Sequence, residues 1–332
     1  MRVVEALLST TATPFFILDL DAIDRAVADV QDAFGTALYY MLKCNSHPEV
    51  IARLARNGVG FAVSHESELR LVKAHAPSSP LLCAGPSTEP AFLRAAAEFD
   101  LKYVSISTQQ SFEVWRASGC EAPGIVRFGH SSEKFGVRRR SFEDPKIVGG
   151  HVHAGTGVTP DYWARVVNEA HDLPIIDAGG GFLGPRSLAM NCQSIGDYAI
   201  RLRAERRSTL AIVEPGRYLV ESALTCVSRV VDVDGDRVYL DVGSNLLPPL
   251  NAARYMSIGR LGDEAHEKQT FQMFDAGCMD LHFLPDLISG TVKRGDVVLI
   301  GNCGAYTYSL WSSFGGDRAE VIPMATFHNA AV

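Results

Sequence analysis

A lysine closes an apolar run near the start of this chain: Tyr39-Tyr40-Met41-Leu42 leads directly into Lys43-Cys44-Asn45-Ser46. Such a run reads as the end of a buried strand, where burial disfavours the ammonium form. A neutral lysine amine is the nucleophile that forms Schiff bases with carbonyls. The plainer alternative is a lysine that has just left the strand and snorkels to water. Other reactive groups stand at the ends of later apolar runs, Arg127 after Gly124-Ile125-Val126 and Glu214 after Ala211-Ile212-Val213. His151 and His153 alternate along one such run, which turns both imidazoles to one side of a strand. Two histidines so spaced can bind a metal, but the sequence offers no third ligand, and a ring stacked on a flat cofactor also suits His153. Gly179, Gly180 and Gly181 follow Asp177-Ala178 and let a backbone approach an anion such as phosphate, with a plain tight turn as the alternative. In Glu214-Pro215-Gly216-Arg217-Tyr218 a carboxylate able to hold a pyridine nitrogen protonated precedes an arginine suited to phosphate. The plainer alternative there is a surface ion pair.

These groups need a scaffold that presents strand ends on one side. Strand-like runs are predicted at residues 15–18, 38–42, 60–63, 80–83, 103–106, 124–127, 147–153, 174–177 and 211–214. Helical stretches fall between the earlier ones: 21–34, a stretch opened by Pro48, 66–74 and 90–99. Repeating βα units, about eight of them, predict an α/β fold with a closed (β/α)8 TIM-like barrel whose reactive groups gather at the C-terminal strand ends. The barrel reads as trimmed between Phe135 and Ile147, where Arg138-Arg139-Arg140 and Pro145 resemble a loop, and across residues 157–174. After Tyr218 the pattern changes to strands at 224–233, 237–242, 270–276 and 297–300, joined by turns such as Asp234-Gly235 and Arg294-Gly295-Asp296. The expected organisation is a barrel over residues 15–218 and a C-terminal antiparallel β domain built from 1–14 and 219–332.

Bulk properties narrow the class. A chain of 332 residues that is 47% hydrophobic has ample core for such a fold. The net charge of −7 argues against nucleic acid or an anionic membrane as partner, and the short arginine cluster reads as a solvated loop. No apolar stretch approaches bilayer length, and residues 1–5 lack the features of a signal peptide. The cysteines, seven and scattered without a CxxC pair, point to a reducing cytoplasm and give no metal signature.

Taken in order, Lys43-Cys44-Asn45-Ser46, His153-Ala154-Gly155-Thr156-Gly157, Asp177-Ala178-Gly179-Gly180-Gly181-Phe182, Glu214-Pro215-Gly216-Arg217-Tyr218, Gly277-Cys278 and Gly304-Ala305-Tyr306-Thr307 form a set. It resembles the fold-type III pyridoxal-phosphate decarboxylases, relatives of ornithine and diaminopimelate decarboxylases, over about residues 13–314. The resemblance implies that pyridoxal 5'-phosphate is bound to Lys43, that His153 stacks on the ring and that Glu214 pairs with the pyridine nitrogen. It places Thr156, Gly179, Gly180, Gly181, Gly216, Arg217 and Tyr306 around the phosphate, Arg127 close to the ring and Glu68 further out. It also implies a homodimer with shared active sites, in which Cys278 is lent across the interface to protonate Cα. Three departures lie at the substrate end. Met279 follows Cys278 where the diamine enzymes carry an acid, with Asp280 one position late. The arginine of the diaminopimelate enzymes is missing from Gly243-Ser244-Asn245-Leu246-Leu247-Pro248-Pro249, leaving Arg254 or Arg260 as substitutes. Ala62 stands where the family commonly has Asp. The expectation is decarboxylation of an unusual amino acid, or a conjugate, from secondary metabolism, with Met279, Asp280 and Arg254 meeting the substrate. The alternatives are an amino-acid racemase, which Glu214 argues against, and a non-catalytic regulator, against which Lys43, His153, Glu214, Arg217 and Cys278 all weigh.

Overall fold

The computed structural model describes residues 2–85, 89–129, 136, 142–168, 173–184, 194–205, 210–248, 255–275, 277, 282 and 284–324. Two compact units share the chain. One contains residues 24–183 and 193–216, the other residues 1–23, 184–192 and 217–332.

The first unit is a closed parallel barrel. With β1 (Phe15–Asp19) assigned to the other unit, its strands are β2 (Ala37–Met41), β3 (Gly60–Val63), β4 (Leu81–Cys83), β5 (Leu101–Ile106), β6 (Gly124–Arg127), β7 (Ile147–His151), β8 (Ile175–Asp177) and β9 (Leu210–Val213). Closure comes from β2 pairing with β9, Leu38 opposite Val213. Crossover helices carry local start signals. In Pro48–Arg56, Pro48 occupies the first turn and the His47 ring accepts from the Glu49 N–H at 3.2 Å. Gln109–Ala117 opens with a reciprocal Thr108/Ser111 box. Tyr39, Ala62, Leu82, Ala84, Ile125 and Ile212 form one buried cluster although they come from strands or strand ends around the ring. Residues so placed meet only inside the barrel, so the cluster identifies its inner face. Of the loop-like stretch between Phe135 and Ile147, residues 136 and 142–146 are described, and none of them is helical. Arg138, Arg139 and Arg140 lie outside the described residues.

The second unit is a sheet that includes β1 together with β10 (Leu224–Asp234), β11 (Arg237–Leu240), β12 (Ser257–Arg260), β13 (Gln269–Asp275), β14 (Leu287–Ser289), β15 (Val297–Gly301) and β16 (Glu320–Met324). Two expectations change here. The run at 15–18, counted with the barrel, runs antiparallel to β10 and parallel to β16. Every residue of β1 is buried, and an unbroken apolar run marks a covered strand without saying which sheet covers it. The sheet is also mixed rather than purely antiparallel, because β11 and β13 run parallel as well. Residues 2–8 form a helix, whose Val4 packs against Phe15, Ile17, Val227 and Leu299. Among the described residues no helix is long and apolar enough to cross a membrane.

Candidate active site

Strand register assembles the site. Across β6, β7 and β8, Arg127 pairs with His151 and His151 with Asp177, so three polar side chains stand abreast at the C-terminal strand ends. Asp177 pairs in turn with Ile212 on β9, and Glu214 lies two residues further on. Side chains two apart share a face of a strand. Ser105, Arg127, Asp177 and Glu214 each follow by two an inner-cluster residue or one packed against it: Tyr103, Ile125, Ile175 and Ile212. They therefore form the next layer up inside the barrel.

That layer is dry. His151 is 1%, Asp177 0% and Glu214 4% exposed, and their nearest polar atoms all lie within 4.8 Å of one another. His151 Nδ1 meets Ser105 Oγ at 2.9 Å, and its Nε2 lies 3.5 Å from Glu214 Oε2. Asp177 Oδ1 accepts from the Gly179 N–H at 2.9 Å. Asp177 Oδ2, Glu214 Oε1 and His151 Nε2 are buried and make no hydrogen bond. Buried polar atoms left unmatched are rare and ask for an explanation.

Burial pushes the Glu214 carboxyl up to about 7, against the pull of the Arg127 and Lys43 charges. Asp177 is raised well above the ordinary carboxylate range by burial and by the neighbouring Glu214 charge. Burial, with Arg127, His153 and Lys43 nearby, drives His151 well below its usual value. His153 falls to about 4 for similar reasons, burial first and then Arg127 and Lys43. Both rings are thus neutral near pH 7.

Lys43 departs from its expected setting. The strand ends at Met41, and Lys43 sits in a 3-10 turn, Leu42–Cys44, with an exposed side chain between buried neighbours. The turn packs on Gly216, where an added Cβ would stand 3.3 Å from Cys44 Cβ. In the triple glycine, Gly179 and Gly181 have φ of +64° and +92°. A Cβ at Gly180 would strike the Glu214 carbonyl, and one at Gly181 the Gly155 carbonyl. The segment is therefore more than a plain turn: only glycines let it nest between the Glu214 backbone and the Gly155-Thr156 loop. The Gly157 N–H donates to the Gly181 carbonyl at 2.8 Å, joining the two loops, and Thr156 beside it is exposed. Glu68 Oε2 accepts from the Ser64 N–H at 2.6 Å and from Ser64 Oγ at 3.0 Å, clamping the strand-to-helix turn.

Within the β unit, Arg217 opens the short helix Arg217–Val220. Its Nη1 donates to Glu221 Oε1 at 2.7 Å, and Glu221 Oε2 accepts from the Gly184 N–H at 3.0 Å. The guanidinium lies 3.9 Å from the Tyr255 ring centre and 5.4 Å from that of Tyr306. Tyr306 itself has φ of +55°, rare for a bulky residue and common at ligand-holding positions. Arg254, Cys278, Met279 and Asp280 lie outside the described residues. Ser105 and Asp177 carried no role in the sequence reading. An acid two residues before a glycine run at a barrel strand end was the available signal for Asp177; nothing in sequence marks Ser105.

A chain that folds into a closed eight-stranded parallel barrel and a mixed sheet, with a lysine, a buried carboxylate and a glycine loop at the barrel's strand ends, has the build of a fold-type III pyridoxal-phosphate protein. The family described as pyridoxal-dependent decarboxylase, pyridoxal binding domain, matches residues 20–221, and the chain belongs to it; its cofactor is pyridoxal 5'-phosphate. The chain is 27% identical to diaminopimelate decarboxylase of Deinococcus radiodurans over 91% of this chain and 87% of that protein. It is 28% identical to human antizyme inhibitor 2 over 65% of this chain and 55% of that protein. Its fold matches the crystal structure of lysine/ornithine decarboxylase from Vibrio vulnificus complexed with putrescine, with a TM-score of 0.84, 20% identity and 97% of each chain covered.

Proposed function

We propose that the chain is an active decarboxylase that removes the α-carboxylate of an amino acid or an amino-acid conjugate, one of specialised metabolism rather than a standard diamine precursor. Glu214 Oε1 carries the reading: a buried carboxylate oxygen without a hydrogen-bond partner at the C-terminal mouth of the barrel is what a protonated pyridine nitrogen requires. Gly179 and Gly181, both at positive φ, give the loop beside it the backbone freedom that an anion-binding turn uses.

In this reading the bound pyridoxal phosphate supplies an electron sink for the breaking Cα–carboxylate bond. Glu214 keeps the ring nitrogen cationic. The neutral His153 ring would stack on the cofactor without adding charge, and Arg127 would lie close to it. Lys43 Nζ would hold the cofactor through its aldehyde carbon and serve as the amine that frees the product. Thr156, Gly179, Gly180, Gly181, Gly216, Arg217 and Tyr306 hold the phosphate. Cys278 from a second copy delivers a proton to Cα as carbon dioxide departs, which makes the working unit a homodimer. Met279, Asp280 and Arg254 meet the distal end of the substrate, and their departures from the diamine and diaminopimelate patterns support an unusual one. Among the described residues five cysteines are buried and in no disulfide, which fits a reducing cytoplasm.

Carbon dioxide release from ornithine, lysine, arginine, diaminopimelate and their conjugates tests this reading. Efficient turnover of all the standard amino acids removes the specialised substrate. Loss of optical rotation without carbon dioxide identifies a racemase. A purified protein without the near-visible absorbance of bound cofactor identifies a non-catalytic protein, the reading raised by the similarity to an antizyme inhibitor.

A further inference from the structure

Pairing Glu214 with a ring nitrogen leaves Asp177 unexplained. It is wholly buried, has one oxygen without a hydrogen-bond partner, and lies in the same dry layer as Glu214. Two carboxylates within 4.8 Å of each other in such a layer do not both ionise readily, since burial and mutual repulsion each oppose the second charge. Among the described residues, the charged or titratable groups around the pair are Arg127 on β6, His151 on β7, His153 beyond it, Lys43 after β2, and Tyr39 on β2 with Tyr103 near it. Burial raises the Tyr39 phenol and lowers both imidazoles, so all three are neutral near pH 7. The two cations are Arg127 and Lys43, and Lys43 is exposed, where water and salt screen its charge. That leaves Arg127 as the chain's own fixed cation for two acids, beside the ring nitrogen that Glu214 would face.

We propose that Asp177 shares a single proton with Glu214 and is a positioning residue for it, so that one negative charge, held on Glu214, faces the cofactor's ring nitrogen. Asp177 is suited to the neutral role. Its Oδ1 is occupied by the Gly179 N–H, which leaves Oδ2 to carry the proton. Glu214 is suited to the charge, because its Oε2 lies 3.5 Å from His151 Nε2, and the Ser105 contact at Nδ1 lets Nε2 carry a hydrogen. The proposal rests on the cofactor reading of Glu214 and is independent of which substrate is decarboxylated.

Asp177→Asn tests it, because the amide keeps the shape and the acceptor for Gly179 while replacing a shared proton with fixed hydrogens. Infrared spectra of the wild-type full chain, with and without pyridoxal phosphate, are expected to show a protonated carboxylic-acid carbonyl band at pH 7 that Asp177→Asn removes. Cofactor affinity at pH 7, read from absorbance, is expected to stay within about threefold of wild type, since the net charge is unchanged. Cofactor-free wild type is expected to lose thermal stability between pH 5 and pH 8 more steeply than the variant. Absence of the acid band in wild type overturns the proposal without needing the variant to fold. So does a change of more than about tenfold in cofactor affinity on Asp177→Asn, which would mean that a charge had been removed. If the protein never binds the cofactor, the functional reading fails, while the infrared band still decides whether the acids share a proton.

Discussion

The barrel and the β unit each bury glutamate, and they treat it in opposite ways. Glu221 is 1% exposed and both of its oxygens are matched, one by Arg217 and one by the Gly184 N–H. Glu214 is 4% exposed with one oxygen unmatched, and Asp177 beside it repeats the pattern. Burial raises all three carboxyls, but at Glu221 the adjoining guanidinium opposes the shift directly. A carboxylate whose bonds are complete has finished its task and orients Arg217. One whose bonds are incomplete lacks a donor among the described residues. A buried acid therefore points to a ligand through the partner it lacks, since burial itself is common to both sites.

Substitutions can break that contrast or sharpen it. The largest effect is expected from Lys43→Ala, which removes the covalent hold on the cofactor. Borohydride reduction and peptide mapping should label residue 43 in wild type and nothing in the variant; label elsewhere would move the whole site. Next comes Glu221→Ala. It strands the Arg217 charge, which is 7% exposed, and should cost about 3–5 kcal/mol in urea unfolding. A loss below 1 kcal/mol would mean that the pair is not held as described.

His153 provides a test with a defined sign. Its folded value near 4 lies below the ordinary 6.5, so the folded state binds fewer protons than the unfolded one. Stability from this group is present above about pH 6.5 and lost as pH falls towards 4, by about 3 kcal/mol in all. His153→Asn should flatten that acid limb in cofactor-free protein; an unchanged limb would show that another group titrates there. The smallest expected effect is the most direct comparison. In cofactor-free protein at pH 8, Glu214→Gln should raise stability by about 1–2 kcal/mol, because an incompletely matched charge is replaced by a neutral amide. Glu221→Gln should lower it by a similar amount, because a completed ion pair is lost. Equal signs in the two variants would erase the distinction between the sites.

Much of this protein is legible in its residues. Apolar runs alternating with helical periods identify the barrel strands, because a strand covered on both faces must be apolar and a crossover helix must be amphipathic. The glycine run and the Glu-Pro-Gly-Arg segment are legible for a related reason: backbone approach needs glycine, and a charge at a strand end reaches the mouth of a barrel. Those features depend on neighbours along the chain. The sheet that receives β1 does not, since four buried apolar residues satisfy either one equally. Nor does the exposure of Lys43, which follows from a turn packing against Gly216. The row Arg127, His151, Asp177 and Glu214 exists only through inter-strand register, which joins residues up to 87 positions apart; a slip of one residue would turn any of them out of the layer. The chain's own order determined which groups are available for chemistry. Three-dimensional closure decided which share a dry space, because repulsion between two acids depends on their separation and on the exclusion of water, and neither is a local property.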